Sequence, residues 1–121
     1  MGKRTWIKVY CDNWIGGSLR DETSDVRGCW IDLLALVGCS QYSDTGELKL
    51  RDGFGYTDEQ IAGILRIDLE LWLKAKARFI KTDRIITSKN NEIGIKNWIK
   101  YQSEYKRQKK YRDDLIPVKD S

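Results

Sequence analysis

The sequence predicts a mainly α-helical domain with a small antiparallel β-sheet, an α+β class, on three observations. A long apolar stripe between residues 24 and 38 reads as a buried helix. Two further helical patterns meet at a tight break, Arg66-Ile67-Asp68. Two short β-like runs then flank Asn90-Asn91. Helix, helix-turn-helix, hairpin is the order of a winged helix-turn-helix, in which the second helix of the turn lies in the major groove of duplex DNA.

Each element has its own reason. Residues 6–10, Trp6-Ile7-Lys8-Val9-Tyr10, alternate in character and read as either a short strand or an extended arm packed on the core. Residues 13–19, with Gly16-Gly17-Ser18, read as a turn or irregular link. Ser24 is the expected N-cap of the first strong helix, with Asp25 in the first turn, where the helix dipole favours an anion. Val26, Cys29, Trp30, Leu33, Leu34 and Val37 then recur with helical spacing as one apolar stripe, which Gly38 closes. Residues 39–55 form a polar connection, long for an ordered loop, in which Leu48-Lys49-Leu50 alternates as the first strand of the sheet.

Thr57 and Gln60 make a capping box, each side chain satisfying a backbone N–H of the other, and open a helix carrying Ile61, Ile64 and Leu65. Asp68 caps the next helix, from 69 to about 82. Its Leu69, Trp72, Ala75 and Phe79 share one face, and Glu70, Lys74, Arg78 and Lys81 share the other, which is expected to face solvent with three cations. Arg84-Ile85-Ile86-Thr87 and Glu92-Ile93-Gly94-Ile95-Lys96 are the hairpin strands. Asn90-Asn91 tolerate the left-handed turn between them, and Lys89 stands near its tip. A final helix is expected from 97 to about 112, with Trp98, Tyr101 and Tyr105 as a narrow seam before a basic run, Lys106-Arg107, Lys109-Lys110 and Arg112. The expected organisation is therefore one domain over residues 1–112 and a flexible tail over 113–121, broken by Pro117.

Composition excludes several function classes. At 121 residues with 40% hydrophobic content and five Trp, the chain is expected to be a folded single domain. No apolar run approaches the roughly 18–20 residues that span a bilayer, and Met1-Gly2-Lys3-Arg4-Thr5-Trp6 does not open a signal peptide, so a soluble, cytoplasmic protein without a membrane partner is expected. The three cysteines, Cys11, Cys29 and Cys39, have no CxxC spacing and there is no histidine, so neither a zinc site nor the usual general base is available. No metal, no cofactor and no enzymatic activity are expected.

Charge points to a polyanion. Residues 1–65 hold 7 basic and 10 acidic side chains, a net −3; residues 66–112 hold 14 and 5, a net +9; the last nine hold 1 and 3, a net −2. The basic stretch coincides with the helix-turn-helix. Its expected DNA-contacting residues are Arg66, Lys74, Arg78 and Lys81, Lys89 at the wing, and Lys106, Arg107, Lys109, Lys110 and Arg112 along the phosphate backbone. Arg78 is the favoured base reader, because its planar fork can bind guanine in two places. The expected partner is duplex DNA, with a replicative helicase or its loader, or a second copy of the chain, as further partners. The rival reading is a protein-interaction winged helix; a transcriptional regulator of the same fold is the third.

Several ordered segments resemble a known family. Trp6-Ile7-Lys8-Val9-Tyr10-Cys11-Asp12-Asn13-Trp14, Gly28-Cys29-Trp30-Ile31-Asp32-Leu33-Leu34-Ala35-Leu36, Gly55-Tyr56-Thr57-Asp58-Glu59 and Lys96-Asn97-Trp98-Ile99-Lys100-Tyr101-Gln102 are similar to the N-terminal domain of phage replisome organiser proteins, itself related to the N-terminal domains of bacterial primosomal helicase loaders. The resemblance implies a winged helix that binds replication-origin DNA and helps recruit a helicase. It implies that Lys74, Arg78 and Lys89 face DNA and that Trp30 and Trp98 are core. The chain departs from the pattern at Lys76, where an apolar residue is usual, and at Thr82-Asp83, which replaces an aromatic-glycine pair.

Overall fold

The computed structural model describes residues 4–102. In chain order they form α1 (Cys11–Gly16), a 3-10 turn (Ser18–Asp21), α2 (Ser24–Gly38), β1 (Glu47–Leu48), α3 (Asp58–Leu65), α4 (Leu69–Lys81), β2 (Ile85–Thr87), β3 (Ile93–Ile95) and α5 (Trp98–Gln102). The class is α+β, as predicted, with one antiparallel sheet in the order β1-β3-β2.

The stripe read from α2 is the floor of the core. Val26, Cys29, Leu33, Leu34 and Val37 are buried, and Trp30 meets Phe79 of α4 edge-on, ring centroids 5.0 Å apart. The cap differs by one residue: Thr23 takes the N-cap position and Ser24 is already helical. Asp25 instead folds back, accepting the Thr23 hydroxyl and the Val26 N–H. Burial of Trp72, Ala75 and Phe79 locks α4 against this floor, and truncating either aromatic would cost about 3–5 kcal/mol.

The first strand sits one residue earlier than expected. Glu47 pairs with Gly94 and Leu48 with Ile93, while Lys49 turns inward onto Asp52, Glu47 and the Tyr42 ring. Glycine is obligatory just before it. Gly46 has φ 76°, and a Cβ there would lie 2.3 Å from the ring of Trp98, whose indole N–H donates to the Ser43 carbonyl at 2.6 Å. Trp98 is thus core, as the resemblance implies. In the hairpin, Ile85 faces Ile95 and Thr87 faces Ile93, with Ile85, Ile93 and Ile95 turned inward.

Both bonds of the Thr57–Gln60 capping box are present, at 2.9 and 3.0 Å. α4 ends at Lys81, and Asp83 takes the left-handed conformation (φ 61°) that the glycine of the resembled pattern would supply. Asp68 occupies the N-cap position of α4 without a side-chain bond.

Two N-terminal expectations resolve. Residues 6–10 are the extended arm, not a strand of the sheet. The Gln102 amide brackets Lys8, accepting its N–H at 2.8 Å and donating to its carbonyl at 3.0 Å, and the Tyr10 hydroxyl donates to the Tyr101 carbonyl at 2.8 Å. Residues 13–19 are not an irregular link but mostly helix. Arg20 holds them by donating to the Trp14 carbonyl (2.9 Å) and lying over the Trp14 ring. Tyr105, the run from Lys106 to Arg112 and the tail 113–121 lie outside the described residues.

Candidate nucleic-acid interface

α4 is presented by its surroundings. With Trp72, Ala75 and Phe79 buried, the opposite side exposes Glu70, Leu73, Lys74, Ala77, Ile80 and Lys81. Lys76 and Arg78 fall on the two flanks, and each is drawn into an ion pair.

On the α2 flank, Glu22 accepts from Nε and Nη2 of Arg78, both at 2.9 Å, and Arg84 stands 3.8 Å from the same carboxylate. Glu22 is itself buried. The Arg78 hydrogen bond holds its carboxyl below the usual carboxylate range against the opposing effect of burial, and the same bond pushes the guanidinium up. One turn earlier, Lys74 pairs with Asp25 at 3.3 Å. The Thr23 hydroxyl and then Lys74 hold the Asp25 carboxyl low.

On the hairpin flank, Asp58 is a hub. It accepts from the Trp72 indole at 2.9 Å, from Lys76 at 3.0 and 3.2 Å, and from the Asn91 amide at 3.1 Å. Lys76 also donates to Asn91 at 2.6 Å, and Asn91 donates to the Tyr56 carbonyl at 2.7 Å. Burial pushes the Asp58 carboxyl up, but the Trp72 and Lys76 hydrogen bonds, the Lys76 charge and Asn91 outweigh it and the group sits low. A lysine at an apolar position of the resembled pattern is thereby explained: it ties α3, α4 and the hairpin together.

The outward face therefore differs from the three-cation face expected. Lys74 and Lys81 are exposed, but the guanidinium of Arg78, the expected base reader, is committed to Glu22. Helical spacing does not show a linker 56 residues away folding against that flank. Arg66 stands exposed at the turn between α3 and α4, in a left-handed conformation (φ 59°). The other positive-φ non-glycine positions among the described residues, Asp83, Asn91 and Asn97, carry Asp or Asn, which tolerate it.

Lys89 is exposed near the hairpin tip, as expected, but the tip is not a loose wing. Gly55 donates to the Asn90 carbonyl at 3.0 Å, Asn90 donates to the Gly53 carbonyl at 2.8 Å, and Gly53 donates to Glu92 at 2.9 Å. A Cβ on Gly55 would sit 2.1 Å from the Asn91 carbonyl oxygen, so only glycine permits this contact. The loop brings Arg51, its guanidinium 4.3 Å over the exposed Phe54 ring, next to the hairpin. Sequence reasoning missed this pair; its one signal was an aromatic bracketed by Gly53 and Gly55.

The charge asymmetry of the sequence is partly spent inside the fold. The acids Glu22, Asp25 and Asp58 of the first half bind Arg78, Lys74 and Lys76 of the second. Arg66, Lys81 and Lys89 have no acidic partner among the described residues, whereas Lys106, Arg107, Lys109, Lys110 and Arg112 lie outside them. A cavity of about 410 Å³ between the arm, α2 and α5, lined in part by Trp14, Trp30 and Tyr101, contains none of the expected site residues. Among the described residues no helix is long and apolar enough to cross a membrane, and no cluster of His, Cys, Asp or Glu is placed to hold a metal.

Two helices joined by a tight turn, packed with α2 and a three-stranded antiparallel sheet, define an α+β domain. The chain belongs to the N-terminal phage replisome organiser family, whose model matches residues 6–117. Its role accordingly lies in phage replication. No curated protein and no solved structure matches it.

Proposed function

We propose that this domain is a winged helix that serves phage replication by binding duplex DNA, without catalysis, through α4 and the β2–β3 hairpin. The supporting observation is that three cations without an acidic partner among the described residues border α4. Arg66 stands at the turn that introduces α4, Lys81 is its last residue, and Lys89 is near a hairpin tip tied through Asn91 to Lys76 in its middle. α4 enters the major groove; Arg66, Lys81 and Lys89 meet phosphates, joined by the half-exposed Lys74. Arg78 is a positioning residue: its two bonds to Glu22 fix the α2 side of α4.

The test is fluorescence anisotropy of the full chain on labelled duplex DNA at two salt concentrations. Six to eight phosphate contacts give a log–log salt slope of about −5 to −7, and the triple variant Arg66→Ala, Lys81→Ala, Lys89→Ala should flatten it by about 3. Absence of binding at low salt would refute the proposal.

A second reading, a protein partner docked on α4, has one observation in its favour. Leu73 and Ile80 on the outward face are both more than 40% exposed. A dimer by light scattering that Leu73→Ser abolishes, in a chain indifferent to DNA, would establish it.

A further inference from the structure

We infer that α4 reads thymine: its base contacts are apolar ones from Leu73, Ala77 and Ile80 to the 5-methyl groups of A·T pairs. This rests on the duplex-DNA reading above and goes further by naming the chemistry of the target. The three residues recur at i, i+4 and i+7, so they form one stripe along the outward side of the helix, with Leu73 42% and Ile80 43% exposed. At the α-helical rise the ends of the stripe are about 10 Å apart, or about three base-pair steps.

None of the three can donate or accept a hydrogen bond. Arg78, the side chain on α4 best shaped to fork onto guanine, is held by both oxygens of Glu22. The polar groups left on the exposed face are Glu70 at its start and Lys74 and Lys81 beside the stripe. In the major groove guanine and adenine present donors and acceptors and cytosine an amino donor beside a C5–H without a methyl, and an aliphatic side chain laid on them strips water with little apolar contact in return. Thymine presents a methyl group, so that base turns the stripe into buried apolar contact. A stable protein interface needs about 800 Å² from each partner, and a stripe with two large side chains is narrow for that.

The experiment starts from duplexes that the full chain selects from a random pool. The best of them is resynthesised with deoxyuridine for thymidine, which removes the methyl and leaves pairing intact. Selected sites should share a T-containing core. Uridine substitution there should weaken binding about fourfold for each methyl lost. The Leu73→Ala, Ile80→Ala variant, changed only at exposed positions, should bind more weakly and lose this sensitivity. Binding that is unchanged by uridine, or a pool that converges on G·C cores, overturns the inference and leaves the DNA reading standing. No duplex binding at low salt overturns both. A variant that keeps its DNA affinity but no longer self-associates assigns the stripe to a protein contact and overturns the inference.

Discussion

Two carboxylates hold α4 from opposite sides, and they do so differently. Asp58 lies at the first turn of α3 and collects four donor bonds from three places: the core indole of Trp72, the Lys76 ammonium and the Asn91 amide of the hairpin. Glu22 lies in the link before α2 and serves two arginines, of which Arg78 remains partly exposed. Removing Asp58 strands the indole N–H of a fully buried tryptophan and loosens the hairpin. Removing Glu22 frees Arg78, which water can solvate, and leaves the mostly buried Arg84 to its bonds with Thr82 and Ser18. Asp58 completes the hydrogen bonding of a core indole; Glu22, itself buried, fixes a helix side chain that stays partly exposed. The worth of an ion pair here depends on what else the acid is holding.

The sharpest break of that comparison is Asp58→Ala, which should destabilise the domain by about 2–3 kcal/mol in urea unfolding, because a buried donor is left without a partner. A loss no larger than that of Glu22→Gln would refute the distinction. Glu22→Gln should cost about 1 kcal/mol and leave duplex affinity equal or higher, since it removes a negative charge beside α4.

Acid titration tests both sites at once. Each carboxyl is lowered in the fold, so its contribution is complete above the ordinary values of 3.8 for Asp58 and 4.5 for Glu22 and is lost as pH falls through the lowered ones. Stability should therefore fall on acidification below those values, and Asp58→Asn and Glu22→Gln should each flatten the acid limb. An unchanged limb would mean that these groups are not the ones being protonated. The smallest effect belongs to Lys74→Ala. Its pair with Asp25 is exposed at both ends, so melting should not change measurably, while duplex affinity should fall for all sequences alike.

The helices and the hairpin were legible wherever a local pattern carried its own reason. The α2 stripe, the Thr57–Gln60 box, the buried face of α4 and Asn91 at the hairpin turn each follow from spacing or from one residue's backbone preference. α1 was not legible. Its six residues include Asn13 and Gly16, no side chain caps it, and the Arg20–Trp14 contacts that secure it come from beyond its end. The arm was legible as a choice of two, and Gln102, 94 residues away, settled the choice. In the candidate site, Lys74, Lys81, Lys89 and Arg66 were found exposed. Arg78 was not free, and Arg51 with Phe54 was not seen at all.

The sequence by itself determined the class, the order of elements and which side of α4 is buried, because hydrophobic periodicity and end-capping act within a few residues. Tertiary structure alone decided which cations remain available to a partner. Glu22 and Asp58 reach Arg78 and Lys76 across 56 and 18 residues. Pairing over such separations is set by how α2, α3 and the hairpin close around α4, and no local spacing encodes it.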